Sequence, residues 1–263
     1  AQTPVVQANG SQLSCVRSPS MASVERPVGW NEVKTVVLSN GTRLRVEPEC
    51  SMASAGDGTG GFVWEAASVL ADFLSANPAW VVGKRVIELG AGCGLAGLAA
   101  GALGAAEVTL TDWHLSAAER NLDANFLKRP ELHQRFKLRR LSWGDAEQIA
   151  RVTPPYDLIL GSDLLYDGSF HKSLADTLVA LSAPGTRVLL ATPDGVPGDG
   201  ACSYCGRFYM RLDDAGFAAF DIAVAGPRAK KARLLLEPAG ELDRGDISIV
   251  ELIMRADAES SAT

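Results

Sequence analysis

Gly90, Gly92 and Gly94 stand at alternate positions directly after the apolar run Arg85 to Leu89, and Gly97 follows. Glycine lets a chain turn sharply and lets main-chain N–H groups meet a ligand with no Cβ in between. A strand that runs into such a turn, and then into the small-residue stretch Leu95 to Leu103, forms the ligand-facing end of an open α/β sheet. A glycine turn that serves only the fold is the alternative, and three alternating glycines after a strand weigh against it.

Gly92 to Gly97 also fits the GxGxxG spacing of a dinucleotide site. Two acidic residues point elsewhere. Glu88, two residues before Gly90, would repel a pyrophosphate and attract a cation such as an ammonium. Asp112 lies 24 residues beyond Glu88, at the end of the apolar run Glu107 to Thr111, where a carboxylate can accept hydrogen bonds from ribose hydroxyls. An ammonium, a ribose and no phosphate together describe S-adenosylmethionine.

Trp143, in Leu141-Ser-Trp-Gly-Asp145, offers a wall for an adenine ring, and Asp145 or nearby main chain could meet its exocyclic amine. The opposite reading buries Trp143 in the core and makes Asp145 the cap of a helix starting at Ala146; the local sequence leaves the two level. The apolar run Tyr156 to Leu160 leads to Gly161-Ser162-Asp163-Leu-Leu-Tyr166, which puts Ser162, Asp163 and Tyr166 at a strand's carboxyl end. Asp163 and Tyr166 are three apart and would share one side of a helical turn, presenting a carboxylate and an aromatic face to a cationic amine. Asp163 as a helix N-cap is the alternative, and Asp163 taken alone favours it.

The elements that must position these groups follow from periodicity. Val33 to Leu38 and Thr42 to Val46 flank Asn40-Gly41 and predict a hairpin. Phe62 to Ala76 carries apolar residues at helical spacing and is stopped by Asn77-Pro78. Strands are expected at 85–89, 107–111, 136–141, 156–160, 186–191, 217–225 and 246–254. Helices are expected at 95–103, 116–126, 169–181 and 204–215, with Ser116 as N-cap and Glu119 completing a capping box. Alternation of this kind predicts a mostly parallel sheet covered on both faces, with the last two strands antiparallel. Residues before Val24 read as a flexible tail or processed leader, and residues 26–263 as one domain, with 26–80 as its N-terminal extension.

Composition sets limits. Hydrophobic residues make up 47% and charged residues 21% of 263, with a net charge of −6, so no overall pull on nucleic acid or anionic membranes is expected. No apolar run approaches the ~18 residues of a membrane span, and a secretory-signal pattern is lacking. Five cysteines, odd and sparse, point to a reducing compartment. Cys202-Ser-Tyr-Cys205 has zinc or redox spacing but lacks a second pair, so two incidental thiols and no metal site are expected. His114, His133 and His171 read as surface residues, and Trp30 and Trp80 as packing residues. The basic stretch Arg228 to Arg233 reads as a solvated loop or a contact for an acidic protein substrate.

In their order along the chain, these motifs resemble the seven-β-strand methyltransferases of family 16, the group of non-histone protein-lysine methyltransferases acting on chaperones, elongation factors and calmodulin. The resemblance runs from about Val33 to Met254. It rests on Gly60-Gly-Phe-Val-Trp64-Glu-Ala-Ala, Glu88-Leu-Gly-Ala-Gly-Cys-Gly94, Thr111-Asp112, Asn121-Leu-Asp-Ala-Asn125, Trp143-Gly144-Asp145 and Asp163-Leu-Leu-Tyr166. It implies a Rossmann-like class I methyltransferase fold: a mostly parallel seven-stranded sheet with an antiparallel last strand, helices on both faces and a β-hairpin extension. It implies that Trp64 helps enclose S-adenosylmethionine, that Gly90, Ala91 and Gly92 surround the methionyl part, that Asp112 meets the ribose, and that Trp143 and Ser162 lie near adenine. Asp163 and Tyr166 match the motif of lysine-modifying members. Residues 197–205 and 226–245 depart from the pattern as local insertions, and the first 25 residues match nothing.

The leading expectation is methyl transfer to a lysine amine of a protein substrate. A small-molecule or protein-histidine N-methyltransferase, or an inactive binding module, are the alternatives; the joint presence of Glu88, Asp112 and Asp163 argues against the last. A monomer in the cytoplasm, with the nucleus as a second setting, completes the expectation.

Overall fold

The apolar runs set between glycines become the strands of one sheet, in a computed structural model that describes residues 32–49, 61–192, 205–225 and 247–255. A hairpin, β1 (Lys34–Val37) and β2 (Arg43–Val46), precedes helix α1 (Glu65–Ala76). Then follow β3 (Arg85–Leu89), α2 (Leu95–Ala102), β4 (Glu107–Asp112), α3 (Ser116–Phe126), α4 (Pro130–His133), β5 (Phe136–Arg140) and α5 (Ala146–Arg151). The chain continues with β6 (Leu158–Ser162), α6 (His171–Leu181), β7 (Arg187–Thr192), α7 (Gly206–Asp214), β8 (Phe217–Ala225) and β9 (Ile247–Met254). The sheet order is β5-β4-β3-β6-β7-β9-β8. The first five strands are parallel, and β9 runs antiparallel to both β7 and β8. This is the expected seven-stranded sheet.

Strand parity divides the core. Val86 and Leu158 belong to one apolar cluster with Leu70, Leu98 and Phe126 of α1, α2 and α3. Their neighbours Ile87 and Ile159 belong to the other, with Leu174 and Phe208 of α6 and α7. Both faces of β3 and β6 are therefore buried, as a parallel sheet requires. The chain leaves β3 toward β4 and β5, then returns to the other side of β3 as β6. That reversal opens a crevice at the carboxyl ends of β3 and β6.

Several boundaries differ from the sequence reading, each for a local reason. Phe62 to Trp64 stay outside α1, and Trp64 has an extended backbone (φ −74°, ψ 149°). Ser116 does not cap α3, since Leu115 precedes the helix and the Ser116 hydroxyl donates to Glu49 Oε2 (2.6 Å). β6 begins two residues later than expected and runs through Ser162. His171, expected at the surface, is buried, with Nε2 near Leu165 O (3.2 Å) and its ring against Phe208. His133 meets Asp123 (2.9 Å). Trp80 packs as expected, beneath the Arg187 guanidinium (3.6 Å to the ring centre). The N-terminal tail, Trp30, Gly60, the Cys202 thiol and the basic stretch Arg228 to Arg233 lie outside the described residues.

Side-chain amides fasten the hairpin to α3. Asn125 accepts from Arg45 N–H (2.9 Å) and donates to Arg45 O (2.7 Å). Asn121 does the same with Glu47 (2.8 and 3.1 Å). Four residues of helix rise about 6 Å, and two residues of strand about 6.7 Å. Two asparagines one turn apart thus stand in for a neighbouring strand.

The tightest packing constraint is at Gly101, where a Cβ would sit 2.1 Å from Phe136 Cζ. Phe136 is itself stacked on Phe126 at 5.2 Å, so it has little room to yield. Gly101→Ala gains up to about 1 kcal/mol of helix propensity and loses about 1–3 kcal/mol to overpacking. We expect a net loss of stability in urea unfolding; an unchanged or raised midpoint would show that Phe136 gives way freely.

Candidate active site

Five segments converge on the crevice, and they line a cavity of about 460 Å³. They are the glycine turn after β3, the end of β4, the turn after β5, the end of β6, and the extended stretch before α1. Of the residues singled out by sequence, Trp64, Gly90, Ala91, Gly92, Asp112, Trp143, Ser162, Asp163 and Tyr166 line it. Glu88 and Gly94 do not.

Strand parity explains Glu88. Like Val86, it points to the α2 face of the sheet, not into the crevice. It is 1% exposed, and the Gly97 N–H in the first turn of α2 donates to its Oε2 (2.8 Å). Burial pushes its carboxyl up to about 8, and the Asp112 charge adds to this while the Gly97 N–H opposes it. The expected ammonium partner is thus a buried anchor for α2. Gly94 opens α2 in a left-handed conformation (φ 81°), against Leu110 and Ala118, and faces the core.

Asp112 is both anchor and wall. Its Oδ2 accepts from Gly92 N–H (2.9 Å) and its Oδ1 from His114 N–H (3.1 Å). Burial raises its carboxyl above the ordinary value, against those N–H groups. A carboxylate has about four acceptor positions, so Asp112 retains capacity toward the cavity. Gly90 has to be glycine: its φ is +59°, and a Cβ would lie 2.7 Å from Leu164 Cδ2 and 3.2 Å from Trp143 Cζ2.

At the turn after β5, the two readings divide between two residues. Trp143 lines the cavity, edge-on to Phe170 at 6.1 Å. Asp145 caps α5, accepting from Gln148 N–H (3.0 Å), and Gln148 Oε1 in turn accepts from Ser142 N–H (2.8 Å).

The Asp163 to Tyr166 segment is neither a helical turn nor a cap. Asp163 has φ 55°, and its N–H donates to Ala191 O (2.9 Å). The side chain that caps the next short 3-10 turn is that of Asp167, through Ser169 N–H (2.8 Å). A left-handed backbone at a residue other than glycine costs on the order of 1–2 kcal/mol. Here it turns the chain off β6 so that both Asp163 and Tyr166 border the cavity.

The sequence reading missed Phe62, Trp113 and Phe170 as cavity walls. Trp113 and Phe170 are 44% and 43% exposed, large aromatics beside acidic motifs, which is the signal that could have found them. Phe62 stands edge-on to Trp64 (5.9 Å). Both are delivered by a pinned neck: the Glu49 N–H donates to Gly61 O (2.9 Å), and Glu49 Oε2 is held by Ser116 and by Arg120 (2.8 Å). Cys93 also lines the cavity, but burial pushes its thiol up to about 12, so it is no nucleophile. Among the described residues, no group of three His, Cys, Asp or Glu side chains could hold a metal, and no helix is long and apolar enough to cross a membrane.

A model of the family described as lysine methyltransferase matches residues 47–194. The chain is 40% identical over 137 residues to the protein N-lysine methyltransferase METTL21A of Danio rerio, covering 51% of this chain and 61% of that protein. It is 30% identical over 196 residues to the electron transfer flavoprotein beta subunit lysine methyltransferase of Xenopus laevis, covering 70% and 76%. A solved structure described as a methyltransferase complexed with SAH shares the fold, with a TM-score of 0.52 and 13% identity over 84% of this chain and 56% of that one. The matched region spans about three fifths of METTL21A.

The buried Glu88 carboxyl makes stability depend on pH. It stays protonated in the fold up to about pH 8, whereas the free group ionises near 4.5. The fold therefore holds the extra proton between those values, and stability present below about pH 4.5 is lost as pH rises toward 8. Urea midpoints should fall across this window, and Glu88→Gln should flatten the fall. Parallel profiles for the two proteins would remove Glu88 as its source.

Proposed function

The chain belongs to the lysine methyltransferase family, and from that premise we propose that it transfers a methyl group from S-adenosylmethionine to a lysine side-chain amine of a non-histone protein. The observation that carries this reading is the charge of the cavity. Among the described residues, Asp112 and Asp163 are the only lining side chains that bear a formal charge, and both are acidic. Aromatic faces from Phe62, Trp64, Trp143 and Tyr166 stand with them. Carboxylates and aromatic walls suit positively charged ligands.

The lining fits the cofactor. Asp112 has acceptor capacity for a pair of ribose hydroxyls, Gly90 and Gly92 allow close main-chain approach, and Trp143 gives an aromatic wall for a base. The volume lies within the ordinary range for small-molecule sites, roughly 300–1,000 Å³. When bound, the cofactor supplies an activated methyl group on a sulfonium.

The chain's own residues do the rest. A lysine amine must lose a proton before it can attack, which at pH 7 costs about 4.6 kcal/mol from an ordinary value near 10.4. Apolar and aromatic walls disfavour the charged amine and lower that cost. A carboxylate is too weak a base to take the proton outright. Asp163 instead accepts a hydrogen bond from the amine and aims its lone pair, while Tyr166 walls the channel.

Two outcomes test this reading. Asp112→Ala should weaken S-adenosylhomocysteine binding by about 1.5–3 kcal/mol in calorimetry; unchanged affinity would remove Asp112 from the ribose. Asp163→Ala should keep that affinity but slow radiolabelled methyl transfer into protein by about 10²-fold, with the rate still rising with pH. Comparable turnover in the variant would sink Asp163 as the orienting group. Cofactor binding with no transfer into any protein by the unmodified chain would favour an inactive binding module.

A further inference from the structure

The chain is acidic overall, yet six of its 25 basic residues fall within residues 128–140: Lys128, Arg129, Arg135, Lys137, Arg139 and Arg140. Glu131 is the only acidic residue in that stretch. Among the described residues, most of this charge is uncompensated. Lys137 pairs with Glu107, a carboxylate it shares with Arg85. The guanidiniums of Arg129, Arg135 and Arg139 are held by main-chain carbonyls, which orient the charge without neutralising it.

The same stretch contains an open sheet edge. β5 is the end strand of the sheet and pairs with β4 alone. Val108 N–H donates to Arg135 O (2.9 Å) and Leu141 N–H to Asp112 O (3.0 Å), which fixes the parity of the ladder. Odd-numbered residues of β5 turn their main chain toward β4, and Phe136, Leu138 and Arg140 turn theirs outward. Among the described residues, the Leu138 carbonyl is met only by the flexible guanidinium of Arg139 (2.9 Å). Leu141, immediately after Arg140, lines the cavity.

We infer that the outer edge of β5 is a docking strand for an extended acidic segment of the polypeptide that presents the lysine, a reading that rests on the proposed function for the lysine only. Outward N–H and C=O groups can add a strand, and side chains of Lys137, Arg139 and Arg140 select acidic residues on it. A segment along the five residues of β5 spans about 17 Å, and its end reaches the cavity rim at Leu141. Basic side chains also guard a sheet edge against self-association, but guarding alone does not place them beside the cavity. Nucleic acid fits less well, because Phe126 and Phe136 are buried and residues 127–140 expose no Phe, Tyr or Trp ring for a base to stack on.

The test is fluorescence anisotropy with a labelled peptide of about twelve alternating Glu and Val residues, a Lys and Val counterpart, and a single-stranded RNA of similar length. The proposal expects the acidic peptide to bind at least tenfold more tightly than the basic one, and to weaken as salt rises from about 0.05 to about 0.3 M. The variant Lys137→Glu/Arg139→Glu/Arg140→Glu, shown to be folded by circular dichroism, should lose tenfold or more. Arg140→Pro should weaken binding more than Arg140→Ala, since proline removes an outward N–H and no ladder bond; this pair serves also if the triple variant does not fold. Equal binding of the two peptides, tighter binding of the RNA, or no effect of the variants would overturn the proposal. A dimer in sedimentation that dissociates in the triple variant would give the edge to a second copy and overturn it too. Binding is read without cofactor, so acidic-peptide binding with no methyl transfer removes only the proposed function. Methyl transfer with no such binding removes only the docking strand.

Discussion

A turn of alternating glycines cannot hold its own shape, so the site depends on the groups that fix this one. Each glycine forfeits about 0.5–1 kcal/mol of backbone order relative to alanine. Two buried acidic side chains answer that loss: the Asp112 carboxylate takes the Gly92 N–H, and the Glu88 carboxyl takes the Gly97 N–H. A hydrogen bond to a charged group contributes about 1.5–3 kcal/mol, and a neutral one about 1. The Ala91 N–H donates to Thr111 O, and the Thr111 hydroxyl to Glu88 O. The three of these bonds that involve Thr111 and Asp112 need β3 and β4 side by side in register, which the apolar residues on both faces enforce.

The aromatic half of the cavity is fixed from the other direction. Asn121 holds Glu47 by its main chain and also donates to Cys93 O in the glycine turn (3.0 Å). A single buried amide therefore joins the hairpin, α3 and the turn. Glu49 then closes the neck that carries Phe62 and Trp64 inward, and Gly61 fits there because a Cβ would lie 2.6 Å from Glu49 O. These links explain why a two-stranded hairpin, marginal by itself, is part of the architecture: it sets where one wall of the site stands.

Where the sequence was legible, short-range rules governed. The bounds of β3, α3 and β8 follow from periodicity alone, and the Asn-Gly turn from backbone preference. It misled where a long-range partner intervened. Ser116 has every local mark of a cap, but it lies inside the helix after Leu115, and its hydroxyl donates to Glu49, 67 positions away in sequence. The spacing of Asp163 and Tyr166 suits a helix, but the Asp163 N–H bonds to β7 and turns the chain away. Glu88 has the charge expected for a cation site, and only strand parity shows that it points under α2. Asn121 and Asn125 were visible as a motif, but their spacing acquires meaning only beside an actual strand.

Charge is what separates the three acidic groups near the site. Glu88 is so buried that it stays protonated to about pH 8, so near neutrality it adds little negative charge. Asp112 is engaged by two main-chain N–H groups that spread its charge along the glycine turn. Asp163 stands at a different strand end, on a left-handed backbone (φ 55°). Under the proposed chemistry, two cationic groups must meet within a few ångströms. Their repulsion, about 4 kcal/mol for unit charges at 4 Å in a medium of intermediate dielectric, favours the incoming amine in its neutral form. A second full carboxylate beside Asp163 would weaken that preference by stabilising the ammonium. Protonated, Glu88 adds no third charge to the pair that lines the cavity, and Asp112 and Asp163 stand at different strand ends, which leaves Asp163 to orient the amine.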